Sequence, residues 1–393
     1  MMRTRLGLLA IVFLVAGCQQ DATVKFGAVL PLTGEAAIYG EPVRKGVELA
    51  FEQLQARTDY PYDLSLEVVD TESDPEKAKQ LLDQMYDSGA LAVIGGVTTA
   101  EALDMVAIAD EHNQVLISPS ASSPQLTGIS KYFYRVFPSD AREGATMGMF
   151  ANQKIDIKRG VVILAKEDLY AKGIQEVFKA EFEQFGGEVL DLIEFPSVPG
   201  DLSGLVERVM TINPDAVYLA AYASDVAQMI SGLRELGFGG VIFTTSAFAS
   251  PEIIAQVGKA ANGVYLTQAS FDVDSENPRV RAFVDAYRAK YGSDPDLYAA
   301  HGYDTMLVLA QALEEGGSIK TDFWKAIRSL RDFAGATGTI QFDERGDVQK
   351  FPRVYVVDDG VLVDYEARVE AKRKELLDRL RELERKQQQS SGG

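Results

Sequence analysis

Two short segments gather hydroxyl groups in a way that suits an anion. One is Gly95-Gly96-Val97-Thr98-Thr99 and the other is Ser118-Pro119-Ser120-Ala121-Ser122-Ser123-Pro124. Segments of this kind offer backbone N–H groups beside Ser and Thr side chains, and together these hold a negative charge without a full cation. A carboxylate is the natural guest. The plainer account is turn chemistry, because Ser and Thr also favour loops and helix caps. The glycine pair is not a nucleotide cradle: neither the Gly-x-Gly-x-x-Gly spacing nor a Gly-Lys-Ser/Thr ending is present. Two tyrosines, Tyr170 and Tyr222, follow apolar runs elsewhere in the chain. Each would give a site an apolar wall with one polar tip.

Catalytic chemistry is poorly provided for. The chain holds two histidines, His112 and His301, and one cysteine, Cys18. No Ser/His/Asp set is suggested by the spacing. Asp70, Glu72 and Asp74 alternate as calcium ligands do, but the glycine and closing glutamate of a calcium loop are missing, and a solvated turn is the better reading. The expectation is a binder rather than an enzyme, with no cofactor and no metal.

The elements that must position these groups alternate. Strands are predicted at Val24 to Leu30, Leu64 to Asp70, Leu91 to Gly95 and Val115 to Ser118. Between them the apolar spacing predicts helices at Glu41 to Gln55, Pro75 to Tyr86 and Ala100 to His112. The pattern restarts with strands at Gly160 to Ala165, Glu188 to Phe195, Ala216 to Ala221 and Val241 to Thr245, and helices at Gly173 to Phe185, Asp201 to Thr211 and Ser224 to Leu236. Helices at Pro278 to Tyr291, Tyr298 to Glu315 and Thr321 to Leu330 follow, then strands at Thr339 to Phe342 and Arg353 to Val357. Two successive runs of strand and helix predict an α/β chain of two doubly wound lobes. Ligands of such sheets lie outside the carboxyl ends of the strands, so the loops after strands, including Pro31 to Gly40, are where function belongs.

The ends are different. Arg3 and Arg5, an apolar run from Leu6 to Val15, and Ala16-Gly17-Cys18 read as an export leader of residues 1–17. Small residues before Cys18 make it a lipidation site, with residues 18–23 as a tether to a membrane surface. Glu366 to Lys386 reads as a charged helix with a thin apolar stripe, inside a tail of residues 366–393 that ends in a disordered Gln387 to Gly393. A net charge of −19 repels phosphate backbones, so nucleic acid is not an expected partner.

Pro31-Leu32-Thr33-Gly34, Tyr39-Gly40 and Arg44-Lys45-Gly46 together resemble the opening of the leucine/isoleucine/valine-binding proteins of bacterial ABC transporters. The Gly95-Gly96 loop, Ser118 to Ala121, and Gly338 to Gly346 with Phe342-Asp343 fit the same pattern, so the resemblance spans roughly Val24 to Asp364. It implies a type I periplasmic-binding fold with three crossovers, near Val136 to Ser139, Thr267 to Phe271 and Phe342 to Gly346. Residues 24–138 with 268–344 would form one lobe, and 139–267 with 345–365 the other.

The resemblance implies an exported, lipid-anchored receptor that closes on a small amino acid and delivers it to a membrane permease. By its pattern Thr98, Thr99, Ser120, Ala121 and Ser122 hold the ligand from the first lobe with Tyr39. Tyr170 and Tyr222 close from the second lobe, and Tyr298 lines the side-chain end. One departure stands out. The acid that meets the ammonium in amino-acid binders falls here at Ala247, and Thr244 to Ser250 has no acid. Either Asp225 or Asp304 substitutes, or the ligand is an amine-free carboxylate or amide. A lipoprotein that regulates an envelope protein without transport is a further alternative.

Overall fold

The computed structural model describes residues 23–196, 201–269 and 271–391. The leader, Cys18 and most of the tether lie outside them. The first run comprises β1 (Val24–Leu30), α1 (Ala37–Gln55), β2 (Leu64–Asp70), α2 (Pro75–Asp87), β3 (Ala92–Gly95), α3 (Thr99–His112), β4 (Val115–Ser118) and β5 (Phe133–Arg135). Its five strands form one parallel sheet in the order β2-β1-β3-β4-β5. Helices cover both faces, so β3 and β4 up to Ile117 read as apolar runs rather than as alternating ones, and β1 is broken only by Lys25 near its start.

The chain then enters a second sheet. It is built from α4 (Asp140–Gln153), β6 (Arg159–Ala165), α5 (Leu169–Gln184), β7 (Glu188–Phe195), α6 (Ser203–Ile212), β8 (Ala216–Ala220), α7 (Ala223–Glu235), β9 (Val241–Thr244), α8 (Pro251–Val257) and β10 (Val264–Gln268). Three helices, α9 (Pro278–Tyr291), α10 (Leu297–Gly316) and α11 (Phe323–Ser329), return to the first lobe, where α10 lies along α1. A small hairpin, β11 (Phe333–Gly335) and β12 (Gly338–Ile340), follows. Finally β13 (Arg353–Asp358) and β14 (Val361–Asp364) add antiparallel strands beside β10, giving β14-β13-β10-β9-β8-β6-β7, and α12 (Tyr365–Ser391) ends the described chain.

The chain therefore passes between the sheets three times, as expected, but the third passage falls later than expected. The turn at Asp343 to Gly346 stays bonded to the first lobe, because Gly128 N–H donates to Arg345 O and Arg135 N–H to Gly346 O. The crossing comes at residues 349–352, just before β13. Buried ion chemistry ties it down. Arg135 Nε meets Asp347 Oδ1 at 2.7 Å, and the Arg135 guanidinium also donates to Ser123 O at 2.8 Å and Thr127 Oγ1 at 2.7 Å. Nearby, Asp304 accepts from Ala336 N, Thr337 N and Thr337 Oγ1, and the buried Lys350 donates to that same hydroxyl.

Several boundaries differ from expectation, and the differences matter for the site. α1 starts at Ala37 rather than Glu41, so Tyr39 sits in a first helical turn and not in a loop. α5 starts at Leu169 rather than Gly173, capped by Asp168, whose carboxylate accepts from Tyr170 N and Ala171 N. α4 has no counterpart in the sequence reading. Its Gly144 and Gly148 look like helix breakers, yet a Cβ at either would come within 2.8 Å of the α5 backbone at Ile174 O or Phe178 O. These glycines permit two helices to lie closely together. The Asp70 turn is structural: its carboxylate accepts from Leu32 N, Thr33 N, Thr33 Oγ1 and Glu72 N and pins the loop after β1. α12 continues through Gln387 to Ser391, where a disordered tail was expected, and leaves Val369, Leu376, Leu377, Leu380 and Leu383 exposed.

Candidate functional site

The carboxyl ends of β1, β3 and β4 face those of β6, β8 and β9 across a cleft, and one cavity lies between them. Tyr39, Thr99, Ser120, Ala121, Ser122, Tyr170, Tyr222 and Tyr298 all line it, together with Val97, Phe137, Ser246 and Ala247. Eight of the residues picked from the sequence thus converge, from six different segments of the chain. The cavity is small in this closed arrangement of the lobes, ≈ 30 Å³, room for the centres of roughly two or three waters.

On the first-lobe wall most hydroxyls are already committed. Ser118 Oγ donates to Gly96 O at 2.7 Å and accepts from Ser120 N and Ala121 N. Ser120 Oγ donates to Val97 O at 2.6 Å. Thr98 is the N-cap of α3 in a reciprocal box with Glu101, so its hydroxyl accepts from Glu101 N. Turn and cap chemistry therefore explains these three groups, and Thr98 does not line the inner cavity. Thr99 is the exception. It occupies the first helical position of α3, is buried, and its Oγ1 has no hydrogen-bond partner among the described residues. A free hydroxyl at a helix N-terminus, where backbone N–H groups are unpaired, is a built place for a carboxylate.

The opposite wall is aromatic and crosses the cleft as a chain of rings. Tyr170 stacks on Tyr222 at 5.2 Å, Tyr222 meets Tyr39 at 5.7 Å, Tyr39 meets Tyr298 at 5.0 Å, and Tyr298 stacks on Phe137 at 6.4 Å. Their hydroxyls tie the lobes together. Tyr39 Oη accepts from Ala223 N at 2.9 Å and donates to Ala247 O at 3.3 Å, and Tyr298 Oη donates to Ser246 O at 3.0 Å. Tyr170 Oη donates to Thr245 Oγ1 at 2.6 Å within the second lobe. Burial raises the pKa of all four tyrosines well above the usual phenol value, so each remains a neutral donor.

Strand order, crossovers and cleft agree with what is known of other proteins. A profile of periplasmic binding proteins matches residues 23–358. The chain belongs to the periplasmic binding protein family. It is 25% identical over 334 residues to the leucine-, isoleucine-, valine-, threonine- and alanine-binding protein of Pseudomonas aeruginosa, covering 84% of this chain and 88% of that one. Among solved structures, the leucine-binding protein LivK of Thermotoga maritima superposes with a TM-score of 0.82 at 32% identity, covering 87% of this chain and 97% of that one. The branched-chain amino acid transporter substrate-binding protein LivJ of Streptococcus pneumoniae, in complex with isoleucine, superposes with a TM-score of 0.81 at 25% identity, covering 86% and 97%.

Within this binding protein the two acids proposed to replace a missing countercharge do not reach the inner cavity. Asp304 is locked in the hinge by the three donors described above. Asp225 is half-buried and lines a second, outer cavity of ≈ 550 Å³ at the cleft mouth, along with Thr98, Glu35, Glu72 and Asp168. The pKa of Asp225 is raised by burial and by the neighbouring Glu35 and Asp168. No charged side chain among the described residues lines the inner cavity. Two acids lie just behind its wall, and both were missed with α4. Asp140 is the first residue of α4 and Glu143 stands one turn later. Glu143 Oε2 accepts from Ser246 Oγ at 3.0 Å and Thr267 Oγ1 at 3.5 Å, while its Oε1 and both Asp140 oxygens have no partner among the described residues. The two histidines stay outside this chemistry: His112 pairs with Asp83 on the surface, and buried His301 bonds Leu297 O.

Proposed function

We propose that this binding protein captures a small amino acid, branched-chain or related, between its lobes and delivers it to an ABC permease, held at the membrane by a lipid on Cys18. It acts as a receptor and not as an enzyme. The observation that carries this reading is the free Thr99 hydroxyl at the start of α3, set opposite a ring chain that spans both lobes. The carboxylate docks first against Thr99 and the α3 N-terminus. Tyr170 and Tyr222 then close from the second lobe, and the bonds from Tyr39 and Tyr298 to residues 246–247 hold the closed state that the permease recognises. A ligand drives such closure only through contacts that are better in the closed form. The names of the relatives support the ligand class.

A thermal-shift screen of the purified protein against amino acids, short-chain and aromatic carboxylates, and amides tests the reading. A ligand at a hundred times its dissociation constant stabilises by about 2.7 kcal/mol. A shift with leucine, isoleucine or valine supports amino-acid capture; silence across the panel overturns it. The second reading, an amine-free carboxylate in the same place, draws its support from the uncharged inner wall.

A further inference from the structure

We propose that Glu143, acting through the hydroxyl of Ser246 and with Asp140 beside it, supplies the countercharge for a ligand ammonium, so that the pocket takes amino acids in preference to the same carboxylates without an amine. The inference rests on the carboxylate-binding reading above and adds the charge that reading lacks. Ser246 lines the cavity and gives its hydroxyl proton to Glu143 Oε2, which leaves the oxygen lone pairs for a donor on the cavity side. Ser122 also lines the cavity. Its carbonyl accepts from Asp140 N–H at 2.8 Å, which brings the start of α4 against the same wall. A serine backed by a carboxylate is an acceptor, and an ammonium group has only donors to offer.

The acids themselves argue for a cation. A buried carboxylate without donors is expensive, and protein interiors rarely keep one. The other buried acids here have been given partners. Glu101 accepts from Thr71 and closes the α3 cap, Asp296 caps α10, and Asp304 takes three donors. Asp140 and Glu143 alone stand together with three partnerless oxygens among the described residues. The titratable and charged groups that bear on them are Arg135, Asp168, Tyr170, Tyr218, Tyr222 and Tyr298. Of these only Arg135 is a cation, and it is already spent on Asp347, Ser123 and Thr127. The approach agrees in sign. Glu35, Glu72, Asp168 and Asp225 line the outer cavity, which repels a bare carboxylate and favours a ligand that also carries a positive group.

Asp140 and Glu143 are positioning residues in this scheme: Glu143 acts through Ser246, and Asp140 adds its charge beside it. The test is calorimetric titration of the purified protein with leucine and with 4-methylpentanoate, the same skeleton without its amine, between pH 5 and 8. Wild type binds leucine more tightly than 4-methylpentanoate, and its leucine affinity falls toward pH 5 as the pair takes up protons. Glu143→Gln keeps the shape, weakens leucine by roughly 10- to 100-fold, leaves 4-methylpentanoate within about threefold, and flattens the pH dependence. Glu143→Asp restores part of the leucine affinity. Should Glu143→Gln not fold, Asp140→Asn and the wild-type pH series carry the same comparison. Equal loss for both ligands, unchanged leucine binding in the variants, or a wild type that prefers 4-methylpentanoate would each overturn the countercharge, the last while leaving a carboxylate receptor intact. A wild type that binds neither ligand overturns both readings.

Discussion

The hinge and the cleft wall of this protein both bury charge, and they treat it in opposite ways. At the hinge, Arg135 and Asp347 face each other, and almost every remaining donor and acceptor around them is taken by Ser123 and Thr127. Asp304 is equally well served by Ala336 and Thr337. Behind the cleft wall, Asp140 and Glu143 sit side by side with oxygens left over. Satisfied buried charges specify a shape. Unsatisfied ones hold interaction energy for something that arrives later.

The contrast predicts different outcomes for similar-looking substitutions. Arg135→Leu strands Asp347 in the interior and should cost about 3–5 kcal/mol of stability in urea denaturation. The acid pair gives a pH effect of opposite character. Burial pushes Asp140 up to about 7 from 3.8, and Glu143 also rises, with Asp140 beside it adding to the effect of burial. The stability associated with holding these groups protonated is fully present below the unfolded value and is lost as pH rises through the folded one. Ligand-free protein should therefore lose stability, on the order of a few kcal/mol, between about pH 4 and 7, and Asp140→Asn should flatten that slope in thermal melts. Thr99→Val removes a free hydroxyl from the first wall and should weaken a carboxylate ligand by about 1.5–3 kcal/mol, with the melting point of the free protein little changed. Tyr39→Phe loses two bonds across the cleft and should cost about 1 kcal/mol of closure, read as a larger radius of gyration in solution scattering. Asp225→Asn, out in the cleft mouth, should change only the salt dependence of the association rate, by a factor of about 3 or less.

Much of this was legible in the residues. Apolar runs such as Val24 to Leu30 and amphipathic stretches such as Pro75 to Asp87 announce parallel strands and their covering helices. Loops after strands, where the sequence directs attention, line the candidate cleft. What the sequence hid was the use of each hydroxyl: Ser120 and Thr99 are the same chemistry on paper, and only the fold shows one bonded to Val97 O and the other free. Helix starts were hidden too, because Pro42 suggests a beginning where Ala37 already leads. The largest omission was α4. Its glycines obey a close contact with α5 that no local pattern reveals, and the two acids disappeared with it.

The knot of Arg135 and Asp347 has a mechanical consequence. It joins the end of β5, where the first crossover leaves, to the segment from which the third one departs. Two of the three connections thus share one anchorage, like two leaves screwed to a single post. A hinge anchored in this way favours opening and closing of the cleft over sliding of one lobe past the other.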